Sequence, residues 1–291
     1  MAVQKAAHSG VMAPSTLLRS RKMIAPFAVH APTTVAEAIA LKMASPTAAY
    51  MAGGIEIADR LKYGLPCSDL IRLDRIPQLT TIGLDGGHLR IGAAIPHRVI
   101  AADPLLGRYL PGFREAVARI GSPRIRSQGT IGGNLMCGVA HYDILPMLIA
   151  LSGQLVFGEA DGTLRECDAE GGLPDDPSAL LVSISIPVDE HCTLSFERID
   201  KPVLSLAVAL SAPPDRSASA RAVLACPGQM PFLRTFDIAS ASDTAIAALA
   251  ASWCASLPDS PDGQNASAWY RNELSQVRLR RLLTRMLGAS R

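Results

Sequence analysis

IRSQGTIGGN, residues 125–134, is the most distinctive stretch of this sequence, and a second glycine segment, AGGIEI at residues 52–57, precedes it. Glycine has no Cβ atom, so consecutive glycines allow backbone N–H groups to approach an anion closely. A helix that begins directly after such a turn adds a favourable dipole. Two such loops could hold a diphosphate from both sides without a cationic side chain, which suits a dinucleotide. Alternatively, the paired glycines form only tight turns, at Gly53, Gly54, Gly132 and Gly133.

The residues around the first glycine segment predict a strand, a turn and a helix. Thr34 and Glu37 form a capping box, so a helix is expected to begin at VAEAIALKM. The run AAYMAGG predicts a short buried strand, and IEIADRLKY predicts a helix with Gly64 at its C-terminal cap. A further strand is predicted at DLIRL. A hairpin is predicted where TTIGL and HLRIGAA are joined by the turn DGG at residues 85–87.

The rest of the chain predicts further helices and strands. Helices are expected at GFREAVARI and DILPMLIAL, with an Arg- and Gly-rich loop between them. A second hairpin is predicted to turn at Asp161, and the strand LLVSISIPV ends at Pro187, which marks a domain boundary. Beyond it, three strands are predicted at TLSFERI, LSLAVALS and ARAVLAC, followed by two helices. The last helix is amphipathic, with an apolar face of Leu274, Val277, Leu282, Met286 and Leu287.

The composition indicates a folded protein without a strongly charged surface. Of the 291 residues, 48% are hydrophobic and 19% charged, so the chain can bury a sizeable core and is not disordered as a whole. The 28 Lys and Arg residues against 26 Asp and Glu residues give a net charge of +2, which does not favour nucleic-acid binding. The longest apolar stretches fall short of the roughly 20 residues that a membrane-spanning helix needs. We therefore expect a soluble cytoplasmic protein that binds neither nucleic acid nor membrane.

The beginning of the chain differs from the remainder. Residues 1–22 carry four basic residues, no acidic residue and no periodic pattern, so a disordered extension is expected there. The periodic patterns begin after residue 22, and Pro187 marks the boundary between two groups of strands and helices. They predict one domain at residues 23–188 and a smaller α+β domain at residues 189–291.

Several common motifs are absent from the sequence. No two glycines are separated by a single residue, so the G-x-G-x-x-G fingerprint of a Rossmann domain cannot occur, and no Gly-Lys pair forms a Walker loop. The nucleophile elbow G-x-S-x-G is also missing. The six cysteines include no C-x-x-C pair, and no histidine has a partner at metal-ligand spacing. Neither a metal site nor a disulfide framework is predicted.

Ordered partial matches to one known family run from about Met23 to the C-terminus. They comprise MAGGIEIADRLKYG, LIRLDRIPQLTTI, HLRIGAA, IGSPRIRSQGTIGGNL, Asp143, LLVSISIP and ASAWYRNEL. In these segments the sequence resembles the FAD-binding medium subunit of the molybdenum hydroxylases, the xanthine dehydrogenase and carbon monoxide dehydrogenase family. The resemblance implies an α+β fold. Its first part would be a two-part FAD-binding domain of the PCMH (vanillyl-alcohol oxidase-like) type, and its second a small α+β C-terminal domain of the CO dehydrogenase flavoprotein type.

The resemblance also implies a set of FAD contacts. The first glycine segment would wrap the FAD diphosphate, and the second would close on it from the other side, with Thr130 adding a hydroxyl group. Asp143 would hold the ADP portion, while Ile120 and Leu181 would pack against the cofactor. The implied cofactor-binding residues are Ala52, Gly53, Gly54, Ile55, Glu56, Ile57, Ile120, Thr130, Ile131, Gly132, Gly133, Asn134, Asp143 and Leu181. No catalytic residue and no metal ligand is implied. His141 and Tyr142 would either approach the flavin or form a lid.

The function that the resemblance implies is electron transfer within a larger assembly. The chain would carry FAD and pass electrons from 2Fe-2S clusters to an external acceptor, with a molybdopterin-containing large subunit and a 2Fe-2S small subunit as partners. Because the cofactor supplies the chemistry, no catalytic acid or base is required of this chain.

Three residues depart from the family pattern, and two other functions stay open. Ile55 removes a hydroxyl that is common in the first loop, Glu197 stands where relatives can carry Lys near the cofactor, and Pro202 interrupts the stretch that usually follows with an arginine. One alternative is a stand-alone FAD-dependent oxidoreductase on the same fold, which the basic N-terminal extension and the altered first loop permit. The other is a scaffold subunit that has lost the cofactor, which Ile55 and Glu197 motivate.

Overall fold

Three β-sheets and the helices between them make up the described part of the chain. In the computed structural model this part comprises residues 24–139, 142–176, 178–199, 203–227, 229–258 and 266–289. The extension expected at residues 1–22, together with His141 and Pro202, lies outside these residues.

A parallel three-stranded sheet carries the first glycine segment. Its elements and connecting helices are β1 Ala28–His30, α1 Val35–Ala44, β2 Ala49–Met51, α2 Ile55–Lys62 and β3 Asp69–Arg72. The strand order is β1-β3-β2, with β3 parallel to both neighbours. The predicted cap of α1 is confirmed, since Thr34 Oγ1 accepts a hydrogen bond from the backbone N–H of Glu37 at 3.1 Å. The predicted end of α2 is confirmed as well, because Gly64 has a φ of 88°.

A five-stranded antiparallel sheet forms the second layer. Its strands are β4 Ile82–Asp85, β5 His88–Gly92, β6 Gln154–Gly158, β7 Leu164–Asp168 and β8 Leu180–Pro187. They lie in the order β4-β5-β8-β6-β7. Both predicted hairpins are confirmed. In the first, Gly86 and Gly87 take positive φ angles of 54° and 78°, as a tight two-residue turn requires.

Six short helices connect β5 to β6 and carry the second glycine segment. They are α3 His97–Ala102, α4 Pro104–Tyr109, α5 Pro111–Val117, α6 Pro123–Gln128, α7 Ile131–Met136 and α8 Ile144–Ala150. The predicted helices at α5 and α8 are confirmed, but the Arg- and Gly-rich loop predicted between them is wrong. Two helices occupy it, because Ser122 and Thr130 each cap a helix N-terminus through a side-chain oxygen. Pro123 at the first helical position favours the start of α6 further.

A four-stranded antiparallel sheet and two helices form the C-terminal part. The elements are β9 Cys192–Ile199, β10 Leu204–Ser211, β11 Ala218–Ala225, β12 Phe232–Ile238, α9 Asp243–Ala255 and α10 Ala268–Ala289. The strand order is β12-β11-β10-β9, and β12 was not predicted. Most of the predicted apolar face of α10 is buried against this sheet. Val277 is the exception, since it is 44% exposed, and its assignment to that face is wrong.

The C-terminal sheet is covered on both faces. Because side chains alternate along a strand, Leu206 and Val208 of β10 pack under α9 and α10, while Ala207 and Ala209 join the core around α8. The predicted α+β class is confirmed. The domain division at residue 188 stays a prediction: the strands after it form their own sheet, yet they contribute to the core of the preceding part.

Candidate functional site

A cleft of about 550 Å³ opens between the two glycine segments and the edge of the C-terminal sheet. Its walls come from the turn before α2, from the N-terminal turn of α7, from the residues that follow α5, and from Asp143 at the start of α8. The strands β9 and β10 complete it with Arg198, Ile199 and Leu204. This volume lies within the range of about 300–1,000 Å³ that is typical of small-molecule sites.

The two glycine segments are in direct contact. A Cβ atom placed on Gly53 would lie 1.7 Å from the carbonyl oxygen of Gln128 and 3.2 Å from the backbone nitrogen of Gly129. A second connection is made by Arg60 of α2, whose Nη2 donates to the carbonyl oxygen of Cys137 at 2.7 Å. The segments therefore form adjoining walls of one cleft, as their proposed joint role requires.

The first segment presents unpaired backbone donors to the cleft. Gly54 caps α2 with a φ of 79° and has no side chain to take up the first amides of the helix. Within the described residues, no acceptor receives the N–H groups of residues 53–57, and the first helical bond runs from Ala58 N–H to the Gly54 carbonyl oxygen. Orphan amides at a helix N-terminus bind anions. The amide of Ile55 is one of them, so this position keeps a donor despite its apolar side chain.

The second segment differs, because the amides of residues 131–134 are already hydrogen-bonded inside the protein. The N–H groups of Ile131 and Gly132 donate to the carbonyl oxygens of Ile95 and Ala93, and that of Asn134 donates to the carbonyl oxygen of Thr130. The N–H of Gly133 donates to Thr130 Oγ1 at 3.0 Å. The expectation that both loops supply bare amides is therefore wrong for residues 131–134. It presents the Thr130 hydroxyl and the Asn134 side chain instead.

Three residues of the cleft carry buried polar atoms that lack a hydrogen-bond partner among the described residues. These atoms are Nδ1 of His97, Oδ1 of Asn134 and Oδ1 of Asp143. Buried polar atoms in folded proteins are normally paired with protein, water or ligand groups, and a bound molecule with several hydrogen-bonding groups would satisfy these three. Burial lowers the pKa of His97 to about 4, with Arg126 adding to the effect, so the imidazole is neutral at pH 7.

Asp143 is held by an arginine from the C-terminal sheet. Its Oδ2 accepts a hydrogen bond from Arg198 Nη1 at 2.6 Å, and its side chain is 5% exposed. Burial raises the pKa of Asp143, and the charge and hydrogen bond of Arg198 act in the opposite direction. The pair closes one end of the cleft.

Eleven of the fourteen residues implied by the resemblance line the cleft. They are Ala52, Gly53, Gly54, Ile55, Glu56, Ile57, Ile120, Thr130, Gly133, Asn134 and Asp143. The other three lie in the core instead. Ile131 is fully buried and Leu181 is 2% exposed, while a Cβ atom on Gly132 would meet the Cβ atom of Ala93 at 2.6 Å. These three have packing roles in the structure.

Sequence reasoning missed several residues of the cleft. Arg198 follows Glu197 directly, and its role depends on a partner 55 residues away, which no local pattern reveals. His97 lies beside Gly129, and its backbone N–H donates to the Gly129 carbonyl oxygen at 2.9 Å. Tyr142, which the resemblance had placed near the flavin or in a lid, was not missed and lines the cleft, whereas His141 lies outside the described residues.

Glu197 does not line this cleft. It borders a second cavity of about 530 Å³ on the far side of the Asp143–Arg198 pair, and its carboxylate lies 3.5 Å from both Arg278 and Arg285 of α10. Those two cations offset its negative charge. This departure from the family pattern therefore changes the charge of the second cavity more than that of the cleft.

The described residues contain neither a metal-binding cluster nor a membrane-spanning helix. No group of three or more His, Cys, Asp or Glu residues is placed to hold a metal ion there. None of the helices in this part of the chain is both long and apolar enough to cross a membrane.

Known structures share this fold over nearly their whole length. The reconstituted CO dehydrogenase of Oligotropha carboxidovorans superposes with a TM-score of 0.79 at 24% identity, covering 89% of this chain and 97% of that one. Quinoline 2-oxidoreductase from Pseudomonas putida 86 superposes with a TM-score of 0.77 at 21% identity, covering 91% and 98%. At these identities the likeness establishes the fold.

Sequence comparison adds curated relatives. The carbon monoxide dehydrogenase medium chain of Hydrogenophaga pseudoflava is 33% identical over 153 residues, which is 51% of this chain and 53% of the relative. The xanthine dehydrogenase FAD-binding subunit of Escherichia coli O157:H7 is 31% identical over 116 residues, covering 39% and 40%. The matches thus span about half the length of these relatives or less.

The family described as the FAD binding domain in molybdopterin dehydrogenase matches residues 25–189, more than half of the chain. This match includes both glycine segments and Asp143. It ends before the strands that supply Arg198, Ile199 and Leu204 to the cleft. The chain therefore belongs to the family of FAD-binding domains in molybdopterin dehydrogenases.

Proposed function

We propose that this chain is the FAD-carrying electron-transfer subunit of a heteromeric molybdenum hydroxylase in the cytoplasm. Family membership supports the cofactor, and the cleft is chemically suited to it. The observation that carries the proposal is the pairing of five unpaired amides, at residues 53–57, with a cluster of orphaned polar side-chain atoms in the same cleft. An FAD molecule offers a diphosphate to the first group and hydroxyl and amide groups to the second.

Each wall of the cleft would have a separate task. The amides of residues 53–57 would bind the diphosphate, and the Thr130 hydroxyl would add one donor from the opposite side. Asn134 and the free Oδ1 of Asp143 would bind neutral polar groups such as ribose hydroxyls. Apolar contacts from Ile120 would cover the flat part of the cofactor. No cationic side chain is needed at the diphosphate, because the amides at the N-terminus of α2 supply positive charge there.

The electron-transfer role follows from what a flavin supplies when bound: it accepts electrons singly and releases them in pairs. The residues of this chain would bind and orient it and exclude water. The relatives named as medium chain and FAD-binding subunit support an assembly with other subunits. We propose a molybdopterin-containing large subunit and a 2Fe-2S small subunit as partners, with an external electron acceptor.

Titration of the full-length chain with FAD tests the cofactor assignment. Quenching of flavin fluorescence should reach saturation at an equimolar ratio. Co-expression with large and small subunits encoded nearby should then yield a complex that retains FAD through purification. A colourless chain that does not take up FAD would favour the scaffold alternative, and an active flavoprotein without partners would favour the stand-alone oxidoreductase.

The structure weakens the reasons for the scaffold alternative. The Ile55 position keeps its amide donor, and the charge of Glu197 is offset by Arg278 and Arg285 outside the cleft. Neither departure removes a group that the proposed FAD site uses.

A further inference from the structure

Helix α8 is held at both ends by arginines of the C-terminal sheet. At its N-terminal end, Arg198 of β9 donates to Asp143 at 2.6 Å. At its C-terminal end, Arg221 of β11 donates from Nη2 to the carbonyl oxygen of Ile149 at 2.9 Å and from Nε to that of Ala150 at 3.2 Å. The same sheet therefore forms hydrogen bonds to both ends of one short helix through two separate side chains.

The two contacts differ in one respect. Asp143 and Arg198 line the cleft, whereas Arg221 lies at the opposite end of α8 and is not among the cleft residues. Arg198 also lies beyond residues 25–189, the part that the FAD-binding family covers. A side chain from outside the family domain thus borders the proposed cofactor site.

The chemistry of Asp143 gives Arg198 a specific task. An ionised carboxylate that is only 5% exposed is costly without a charged partner. Arg198 supplies that partner at Oδ2 and leaves Oδ1 without a hydrogen bond among the described residues. A charge-assisted hydrogen bond of this kind fixes the orientation of the carboxylate. The other oxygen is thus an unused acceptor on a residue that lines the cleft.

We infer that Arg198 is a positioning residue of the cofactor site: it holds the Asp143 carboxylate so that Oδ1 accepts a hydrogen bond from FAD. This inference rests on the proposed function. Since β9 carries Arg198, FAD binding and the docking of the C-terminal sheet stabilise one another through this bond, and such coupling is reciprocal.

The test is a double-mutant cycle on the full-length chain, with the FAD dissociation constant as the measured quantity. We expect R198Q to weaken FAD binding by about tenfold or more, the cost of losing a charge-assisted hydrogen bond. R198K retains the charge and one donor, so it should recover part of the affinity. In the D143N background, R198Q should have little further effect, because the carboxylate that Arg198 holds is gone.

R221Q is the matched control. It removes the other arginine that the C-terminal sheet places on α8, so it should lower the melting temperature while leaving FAD affinity within about twofold of wild type. FAD should raise the melting temperature of R221Q as much as that of wild type, and that of R198Q by less.

Two results would overturn the inference. Equal losses of FAD affinity in R198Q and R221Q would mean that both arginines only hold the sheet in place. An undiminished effect of R198Q in the D143N background would mean that Arg198 acts without Asp143. If R198Q fails to fold, R198K decides: wild-type stability with an FAD affinity between those of wild type and D143N supports the positioning role, and an FAD affinity unchanged from wild type contradicts it. Wild-type protein that binds no FAD would instead refute the proposed function itself.

Discussion

Thr130 and Gly133 form the N-terminal cap of α7, with the Gly133 N–H donating to Thr130 Oγ1 at 3.0 Å. This bond places residue 133 at the surface of the cleft. A Cβ atom added there would lie 3.0 Å from Thr130 Oγ1 and meet no other atom within 4 Å, so a side chain requires only a small shift of the capping hydroxyl. The space beyond belongs to the proposed ligand.

A bulky side chain at residue 133 should therefore lower FAD affinity more than it lowers the stability of the fold. We expect G133W to fold with a modest loss of stability, because its Cβ atom crowds the Thr130 cap, and to lose FAD affinity by about tenfold or more, because the indole would occupy the cleft. Flavin content after purification and the melting temperature measure the two effects. G171W is the control, since Gly171 is exposed and a Cβ atom there has no neighbour within 4 Å. Undiminished flavin content in G133W would argue against the site.

The contact between Gly53 and the second glycine segment predicts that a side chain at residue 53 mainly lowers the stability of the fold. G53A places a methyl group 1.7 Å from the Gln128 carbonyl oxygen, so backbone must move, and we expect a loss of unfolding free energy of about 1–3 kcal/mol or more. Urea unfolding measures it. G83A is the matched control, because a Cβ atom on Gly83 meets nothing within 4 Å and φ there is not positive. Its effect should stay within about 0.5 kcal/mol.

Local rules predicted most of the fold. The cap at Thr34, the C-terminal glycine of α2 and the two hairpin turns each depend on residues within a few positions of one another, and all were confirmed. The loop predicted before α8 is wrong for a related reason: Ser122 and Thr130 cap two helices there, and these local caps prevail over the glycines around them. The three-residue strand β1 is too short to produce a periodic pattern.

The chemistry of the cleft was less accessible from the sequence. Which amides remain unpaired depends on the carbonyl oxygens of Ala93 and Ile95, which lie far from the second segment along the chain and satisfy its donors. The pairing of Asp143 with Arg198 likewise bridges 55 residues. Spacing shows which segments can form loops, but tertiary contacts decide which of their groups are left for a ligand.

His97 predicts a pH dependence of stability. Its folded-state pKa of about 4 lies below the ordinary value of 6.5, so the unfolded state binds more protons between these values. The contribution of neutral His97 to the free energy of unfolding is fully present above pH 6.5. It decreases by about 3 kcal/mol as the pH falls to 4. In H97Q this part of the acid sensitivity should be missing. Chemical unfolding of both proteins at pH 7 and pH 4 measures the difference, and equal losses would contradict the prediction.

The Cys137 thiol, which lies in the cleft, is predicted to react slowly with alkylating reagents. Burial raises the pKa of Cys137 to about 11, so at pH 7 only about one thiol in 10,000 is ionised and reactive. Alkylation by iodoacetamide should be slow at pH 7 and should accelerate as the pH approaches 11. Mass spectrometry assigns the label, with C137S as the control. Because Cys137 lines the cleft, FAD should slow its labelling further. Rapid labelling at pH 7 would contradict the assignment.

The position of Ile199 and Leu204 on the cleft wall has a consequence for the biogenesis of the protein. Domains usually fold in the order of their synthesis, and these residues leave the ribosome after both glycine segments and α8. A nascent chain that has already formed its first two sheets still offers an open, three-sided cavity. Insertion of the flavin is therefore expected to become tight only after translation has passed β10, which makes cofactor capture a late event in maturation.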